Sequence, residues 1–354
     1  MTLHIFNPSH DLAMAANTSN FTAPHAARQL AYDLGFQPAL WCGDGDAILV
    51  DNVEAAEQAA ARMFINVRRV GLNFDRKKVV FVDWEHLQDI NVDNIEPWGW
   101  DAALKRRLEQ AGADGRLLPS DARIEELRQL SHRRTSAKVL AEFKDFKVRE
   151  CHDMNELYDT VGDYGSAVIK MPWSSSGRGL RYIESRNLNP HQDGWAKNVM
   201  AKQGAVMVEP WYDKILDFAM EFSITANGGL TYLGLSLFYT ENGQYRGNML
   251  ATESTKEELL THYVTTECIQ DVKQRLMEAL PQHLTGYGGM FGVDMMLVRQ
   301  DDGSIAIHPC VEINLRRTIG HTALAISPAD CRYEKAMRIE YDGNKYRLKI
   351  TEIR

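Results

Sequence analysis

Glu312 and Asn314 stand two residues apart in Val311-Glu312-Ile313-Asn314-Leu315-Arg316-Arg317. On a strand, residues i and i+2 face the same side, so their oxygens would enter one site while Val311, Ile313 and Leu315 face the other way. Asp294 sits in Gly292-Val293-Asp294-Met295-Met296, an acid within an apolar strand. If that strand pairs with the Glu312 strand, three oxygen ligands converge. Such a set suits Mg²⁺, which takes one or two carboxylates and keeps positions for substrate phosphates. Arg316, on the same face as Glu312, supplies a guanidinium of the kind that clamps a phosphoryl or acyl-phosphate group. The plain alternatives are a salt-bridged Asp294 and a solvated Glu312/Asn314 face.

A second candidate is the stretch Ala167-Val168-Ile169-Lys170-Met171-Pro172-Trp173-Ser174-Ser175-Ser176-Gly177-Arg178-Gly179-Leu180. An apolar strand ends on Lys170 and runs into three serines and two glycines. Small residues let backbone N–H groups approach an anion, and a nearby cation adds charge. The common phosphate loops do not fit. Gly179 is followed by Leu180, which breaks GxxxxGK[ST], and Tyr182 occupies the third glycine of GxGxxG. The loop also leads into a strand, so it is either a phosphate cradle on a hairpin or a hairpin tip with ordinary turn residues. Downstream, Val206-Met207-Val208-Glu209-Pro210-Trp211 ends a buried strand in a carboxylate, a proline and an aromatic, with Asp217 and Glu221 soon after.

Polar residues also crowd the N-terminal segment. After an apolar strand at 3–6 come Asn7, Pro8, His10 and Asp11. The C-terminal end of a first parallel strand is where such sheets bind ligands, so Asn7, His10 and Asp11 are candidates to read an acceptor substrate. The alternative is loop and cap chemistry. Arg246, following a long hairpin, is a further substrate candidate.

The elements that must position these groups follow from periodicity. Strand-like runs at 3–6, 38–42, 48–50 and 77–84 alternate with helical spacing at 23–34, 53–64, 100–111 and 121–130. That alternation predicts an open, mostly parallel sheet. Helices at 135–143 and 155–161 follow, the second capped by Asp153, with strands at 146–150, 167–171 and 181–185. From 205 the texture turns antiparallel: a strand at 206–209, hairpins at 218–225/231–239, 292–299/304–308 and 338–341/346–350, and a helix at 257–280. The fold class is therefore α/β followed by α+β.

Length and composition agree. At 354 residues, two or three domains are expected, and 44% hydrophobic with 25% charged residues is globular. A net charge of −8 argues against nucleic acid as partner. The five cysteines (Cys42, Cys151, Cys268, Cys310, Cys331) lack CxxC spacing, which argues against structural zinc and disulfides and for a reducing, cytoplasmic setting. The N-terminus does not read as a signal peptide, and no apolar run approaches the roughly 18 residues of a membrane span.

Taken in order, these segments resemble the ATP-grasp superfamily of ATP-dependent ligases, over about residues 131–321. The resemblance implies ATP and Mg²⁺ and a carboxylate–amine ligase that passes through an acyl phosphate. It further implies an N-terminal α/β domain (1–125), a first ATP-grasp subdomain with a glycine-rich lid (126–205) and a second with the metal site (206–354). Lys170 would reach ATP, with Ser174, Ser175, Ser176, Gly177 and Gly179 as the lid and Arg178 adding a phosphate contact. The early basic residue would be Arg133 or Arg134. Glu209, Pro210 and Trp211 would form the adenine hinge, and Asp217, in preference to Glu221, would hold the ribose. Asp294, Glu312 and Asn314 would bind the metal, Arg316 would steady the transition state, and Arg317 and His321 would touch the acceptor carboxylate. The substrates would be a small-molecule or peptide carboxylate and an amine, without nucleic acid or membrane, and a homodimer is the default assembly. A kinase on the same nucleotide site and a non-catalytic nucleotide-binding protein are the competing expectations. Biotin-type carboxylation is disfavoured here because no carrier domain is evident before Arg354.

Overall fold

The computed structural model describes residues 1–72, 75–174, 179–241, 244–328, 330 and 335–352. Three sheets organise them. The first is four-stranded and parallel, in the order β3-β2-β1-β4, from β1 (Thr2–Ile5), β2 (Ala47–Val50), β3 (Val80–Asp83) and β4 (Asn94–Pro97). Leu3 and Ile5 face Leu104 and Leu108 of α4 (Ala102–Gln110). Phe6, Ile48 and Val50 share the other core with α2 (His25–Leu34) and α3 (Val53–Arg69). Asn52 caps α3 by accepting from Ala55 N at 2.8 Å. The strand expected at 38–42 is instead a short 3₁₀ turn, Gln37–Leu40, begun at Pro38. Two elements of this N-terminal region were not anticipated. The polar segment after β1 contains α1 (His10–Ala16), and β4 extends the sheet past β1.

Ser120 caps α5 (Asp121–Leu130), which leads through α6 (Arg133–Ala141) to an antiparallel sheet ordered β5-β8-β6-β7. Its strands are β5 (Arg149–Cys151), β6 (Ala167–Lys170), β7 (Leu180–Ile183) and β8 (Val206–Pro210). Between them run α7 (Met154–Tyr164), capped by Asp153 as the sequence implies, and α8 (Pro190–Gln203). Helix α8 buries only Ala196 and Val199, so it carries little apolar periodicity; its one sequence signal is the Asn189–Gln192 capping box.

The third sheet has seven strands in the order β13-β12-β9-β10-β11-β14-β15. They are β9 (Asp213–Ile224), β10 (Leu230–Glu241), β11 (Gln244–Leu250), β12 (Gly289–Arg299), β13 (Ile305–Asn314), β14 (Lys335–Tyr341) and β15 (Tyr346–Glu352). The helix expected at 257–280 is two helices, α9 (Glu253–Thr261) and α10 (Thr266–His283), because Thr265 accepts from Cys268 N and starts a new one. Helices α6 and α10 cover one face through Val139, Leu140, Leu276 and Leu280. Met337, Leu348 and Ile350 of the last hairpin join α2, α3 and α11 (Ile319–Ile326) in the core of the N-terminal sheet. The C-terminal strands thus bind the first and last parts of the chain together. Among the described residues no helix is long and apolar enough to cross a membrane.

Candidate active site

Antiparallel register builds the acidic corner. Asp294 on β12 stands directly opposite Glu312 on β13, and Gly292 opposite Asn314, with a bulge between Asp294 and Met296. Asn314 Nδ2 donates to Asp294 Oδ2 at 2.9 Å. Burial, and then the neighbouring Glu312, raise the Asp294 carboxyl to about 7. Two carboxylates and an amide oxygen held this close form a set whose charge a divalent cation would neutralise, and the donors are those Mg²⁺ prefers. Among the described residues no group of three or more His, Cys, Asp or Glu side chains is arranged to hold a metal ion by itself. The residues therefore fit a hard cation that keeps substrate or water oxygens, and do not fit a closed all-protein cage.

Arg316 stands at the edge of this corner. Its Nε and Nη2 donate to both oxygens of Asp11 at 2.8 and 2.7 Å, and Nη2 also donates to Asn314 Oδ1 at 3.1 Å. Burial works to raise the Asp11 carboxyl, but the guanidinium overrides it and holds the carboxyl below its ordinary value. Burial likewise opposes the Arg316 charge, and Asp11, Glu312 and Asp294 more than compensate. Asp11, read from the sequence as a substrate group, is the partner that orients Arg316.

Arg133 links the two antiparallel sheets. Its Nη1 donates to Met171 O at 2.7 Å and Ser174 Oγ at 2.9 Å, at the root of the serine-glycine loop, while Nη2 donates to Glu312 Oε2 at 2.5 Å. Arg134 points elsewhere and forks onto Glu150 of β5. The choice between these neighbours is set by α6, which presents them to different sides. Lys170 Nζ donates to Glu209 Oε2 at 2.6 Å, and both are buried. The loop closes where Met171 N donates to Gly179 O at 2.9 Å. A Cβ on Gly179 would lie 2.3 Å from Ser174 Cβ, so a side chain there would force Ser174 to shift. Ser175, Ser176, Gly177 and Arg178 lie outside the described residues.

Beyond Glu209 the chain turns at Pro210. Trp211 N donates to Ser166 O at 3.1 Å, so the N–H groups of the expected hinge are either absent or committed. Asp217 accepts from Lys214 Nζ and Thr240 Oγ1, both at 2.6 Å. Glu221 is 1% exposed and accepts from Thr318 Oγ1 at 2.8 Å, with His321 Nδ1 3.0 Å away. Burial pushes its carboxyl up to about 8 and the His321 imidazole down to about 3. The pair is internal: His321 closes a capping box with Thr318 at the start of α11, and its Nε2 meets Phe222 O at 3.2 Å. The structure therefore places neither residue to face a ribose or an acceptor. A Cβ on Gly320 would sit 1.8 Å from Glu221 Oε1. Gly320→Ala is expected to cost about 1–3 kcal/mol through overpacking, read as a lower melting temperature. An unchanged melting temperature would mean that Glu221 can swing aside.

The remaining candidates disperse. Arg317 pairs with Glu96 of β4 at 2.7 Å and lies over the Trp41 ring. Asn7 Nδ2 donates to Gly99 O at 2.7 Å, and His10 is buried with its ring against Gly99. Arg246 is exposed on β11. His308 was not singled out from the sequence, yet it belongs to this region. It is fully buried beside Phe146 (4.4 Å) and Tyr212 (5.3 Å), with no hydrogen-bond partner on either ring nitrogen. Burial and then Lys170 lower its pKa to about 3, so it is a neutral wall. Its signal was a histidine in the alternating Ile307-His308-Pro309-Cys310 strand, opposite Met296.

The sequence matches no protein-family model and no curated protein. Solved structures do match. A biotin carboxylase from Campylobacter jejuni, as a β-γ-ATP complex, aligns over 96% of this chain and 75% of its own at 10% identity, with a TM-score of 0.53. The biotin carboxylase domain dimer of Hydrogenobacter thermophilus 2-oxoglutarate carboxylase, in complex with MgADP, ADP and bicarbonate, aligns over 84% and 75% at 13% identity, with a TM-score of 0.51. An N5-carboxyaminoimidazole synthetase from Staphylococcus aureus, complexed with ADP, aligns over 97% and 83% at 10% identity, with a TM-score of 0.48.

Proposed function

The chain has the ATP-grasp fold, and on that premise we propose that it is an ATP- and Mg²⁺-dependent ligase that activates a carboxylate for attack by an amine. The observation that carries the reading is Arg133, whose guanidinium ties the root of the serine-glycine loop to Glu312 in the acidic corner. One cation thereby sets the phosphate-binding and metal-binding sides of a single site against each other.

ATP with its metal supplies the phosphoryl group that makes the carboxylate reactive. The chain's own residues bind, orient and shield. Asp294, Glu312 and Asn314 would hold the metal. Lys170, steadied by Glu209, would carry positive charge to the nucleotide from a buried strand end, where electrostatic interactions are strong. Asp217 stands in the segment that would meet the ribose. Arg316, fixed by its two bonds to Asp11, would meet the negative charge that builds on the reacting carboxylate without reorganising. The backbone around Ser174 and Gly179 would support a lid that excludes water from the activated group.

Hydroxylamine is a general amine surrogate and provides the test. Incubation with Mg-ATP, hydroxylamine and a panel of amino acids, dicarboxylates and bicarbonate should release ADP and phosphate in equal amounts for at least one carboxylate, with the hydroxamate formed where that carboxylate is organic. ADP formed with a phosphate ester and no free phosphate would replace the ligase by a kinase. No ADP from any member would remove the reading.

A further inference from the structure

The parallel sheet carries a cavity that the residues above do not explain. Its volume is about 560 Å³. Every strand exit of the sheet contributes to its wall: Asn7 after β1, Asp51 after β2, Trp84 after β3 and Asp101 after β4. The order β3-β2-β1-β4 makes this position special. The chain moves from β1 outward to β2 and β3, then returns to the opposite side of β1 as β4. Connections leaving β1 and β4 therefore part at the carboxyl end of the sheet, and ligands of open parallel sheets bind in the crevice so formed.

The charge around the cavity selects the ligand. Three arginines line it, Arg28 from α2 and Arg106 and Arg107 from α4, in a chain whose net charge is −8. Arg107 is neutralised by Asp51 at 2.8 Å and lies 3.7 Å from the centre of the Trp84 ring. Asp101, the other lining carboxylate, is buried and occupied by Ala103 N and Leu104 N at the start of α4. Arg28 and Arg106 are different. Among the described residues Arg28 donates to Ala23 O, at 3.0 Å, and Arg106 to Asn20 Oδ1 and Ser19 Oγ. Neither forms an ion pair among the described residues. The rest of the wall mixes apolar and aromatic residues, including Ile5, Phe21 and Leu104, with neutral polar ones such as Ser9, Thr22 and Gln110.

We infer that this cavity binds a small molecule with an apolar body and a carboxylate or phosphate group, the anion held by Arg28 and Arg106. Both arginines line the cavity and bond only neutral oxygens among the described residues, so an entering anion would offer them charge-assisted bonds. Only the ligand's identity as the acceptor rests on the ligase reading: Asn7 lines the cavity, and the same β1–α1 segment carries Asp11 to Arg316.

Phenyl phosphate and phenylacetate combine the two features, and benzyl alcohol lacks the charge. Titration of the full chain by calorimetry, without nucleotide, should give saturable binding of at least one anion, at least about ten-fold weaker in Arg28→Ala/Arg106→Ala. Benzyl alcohol should bind weakly and equally to both. Both residues are exposed, so an unchanged melting temperature should show that the double variant is folded. No anion binding by the wild-type chain, or equal binding by the variant, would overturn the site. A second arm separates the two sources of such a ligand. With the hydroxamate assay, a variant whose KM for the accepted substrate rises at constant kcat marks an acceptor subsite, and an altered kcat at constant KM marks an effector site. The anion titration uses no ATP, so failure of the ligase reading and failure of this site are separate results.

Discussion

Glu312→Gln is expected to lower Mg-ATP turnover by about 10²–10³-fold, the loss typical when a charge-stabilising group is removed from a reaction centre. The substitution keeps an oxygen that can still accept from Arg133, so the bridge between loop and acidic corner survives and only the charge is lost. A carboxylate that ligates a metal should matter at least as much as groups that merely support ligands, whose loss costs about 10–100-fold in metal affinity. The Mg²⁺ concentration for half-maximal turnover should therefore rise by that factor or more, while metal-free ADP binds nearly as before. An unchanged Mg²⁺ requirement would show that Glu312 is a structural partner of Arg133 and no ligand.

The second large effect is at the buried pair. Lys170→Met leaves Glu209 desolvated and without its cation, a situation that costs about 3–5 kcal/mol. Nucleotide binding should be lost as well, which alone would not separate a binding role from partial unfolding. Lys170→Met/Glu209→Leu does separate them. Replacing both members by apolar groups of similar volume is often close to neutral, so the double variant should regain most of the stability. If Lys170 meets the nucleotide, binding stays lost, and calorimetry with ADP should show no heat. A double variant that is stable and binds ADP like the wild-type chain would reduce the pair to a structural one.

Much of the site was legible because strand geometry is short-range. A period of two puts Glu312 and Asn314 on one face whatever the rest of the chain does, and an acid at Asp294 within an apolar run asks for a polar partner. Lys170 followed by serines and glycines likewise declares a strand that turns into a loop. Helix α7 was readable from Asp153 because caps are local. Helix α1 was hidden. Ser9 makes no side-chain cap bond, and only His10, Ala13 and Met14 are buried, too few for a helical period to stand out. Strand β4 was hidden by Asn94, Glu96 and Pro97, residues of low strand preference that the parallel pairing with β1 overrides.

Residue type and spacing alone thus determine a parallel α/β region, an antiparallel region and one polar strand face that carries Glu312 and Asn314, since each depends on neighbours a few positions away. Partnership over long separations was decided only by the folded chain. Asp11 reaches Arg316, Arg133 rather than its neighbour reaches Glu312, and Glu221 turns inward to Thr318 and His321. In each case several charged or polar groups were equally eligible in sequence. Burial then selects, because a charge taken from water must find its partner within bonding distance, and only the packing of the sheets and helices says which one is there.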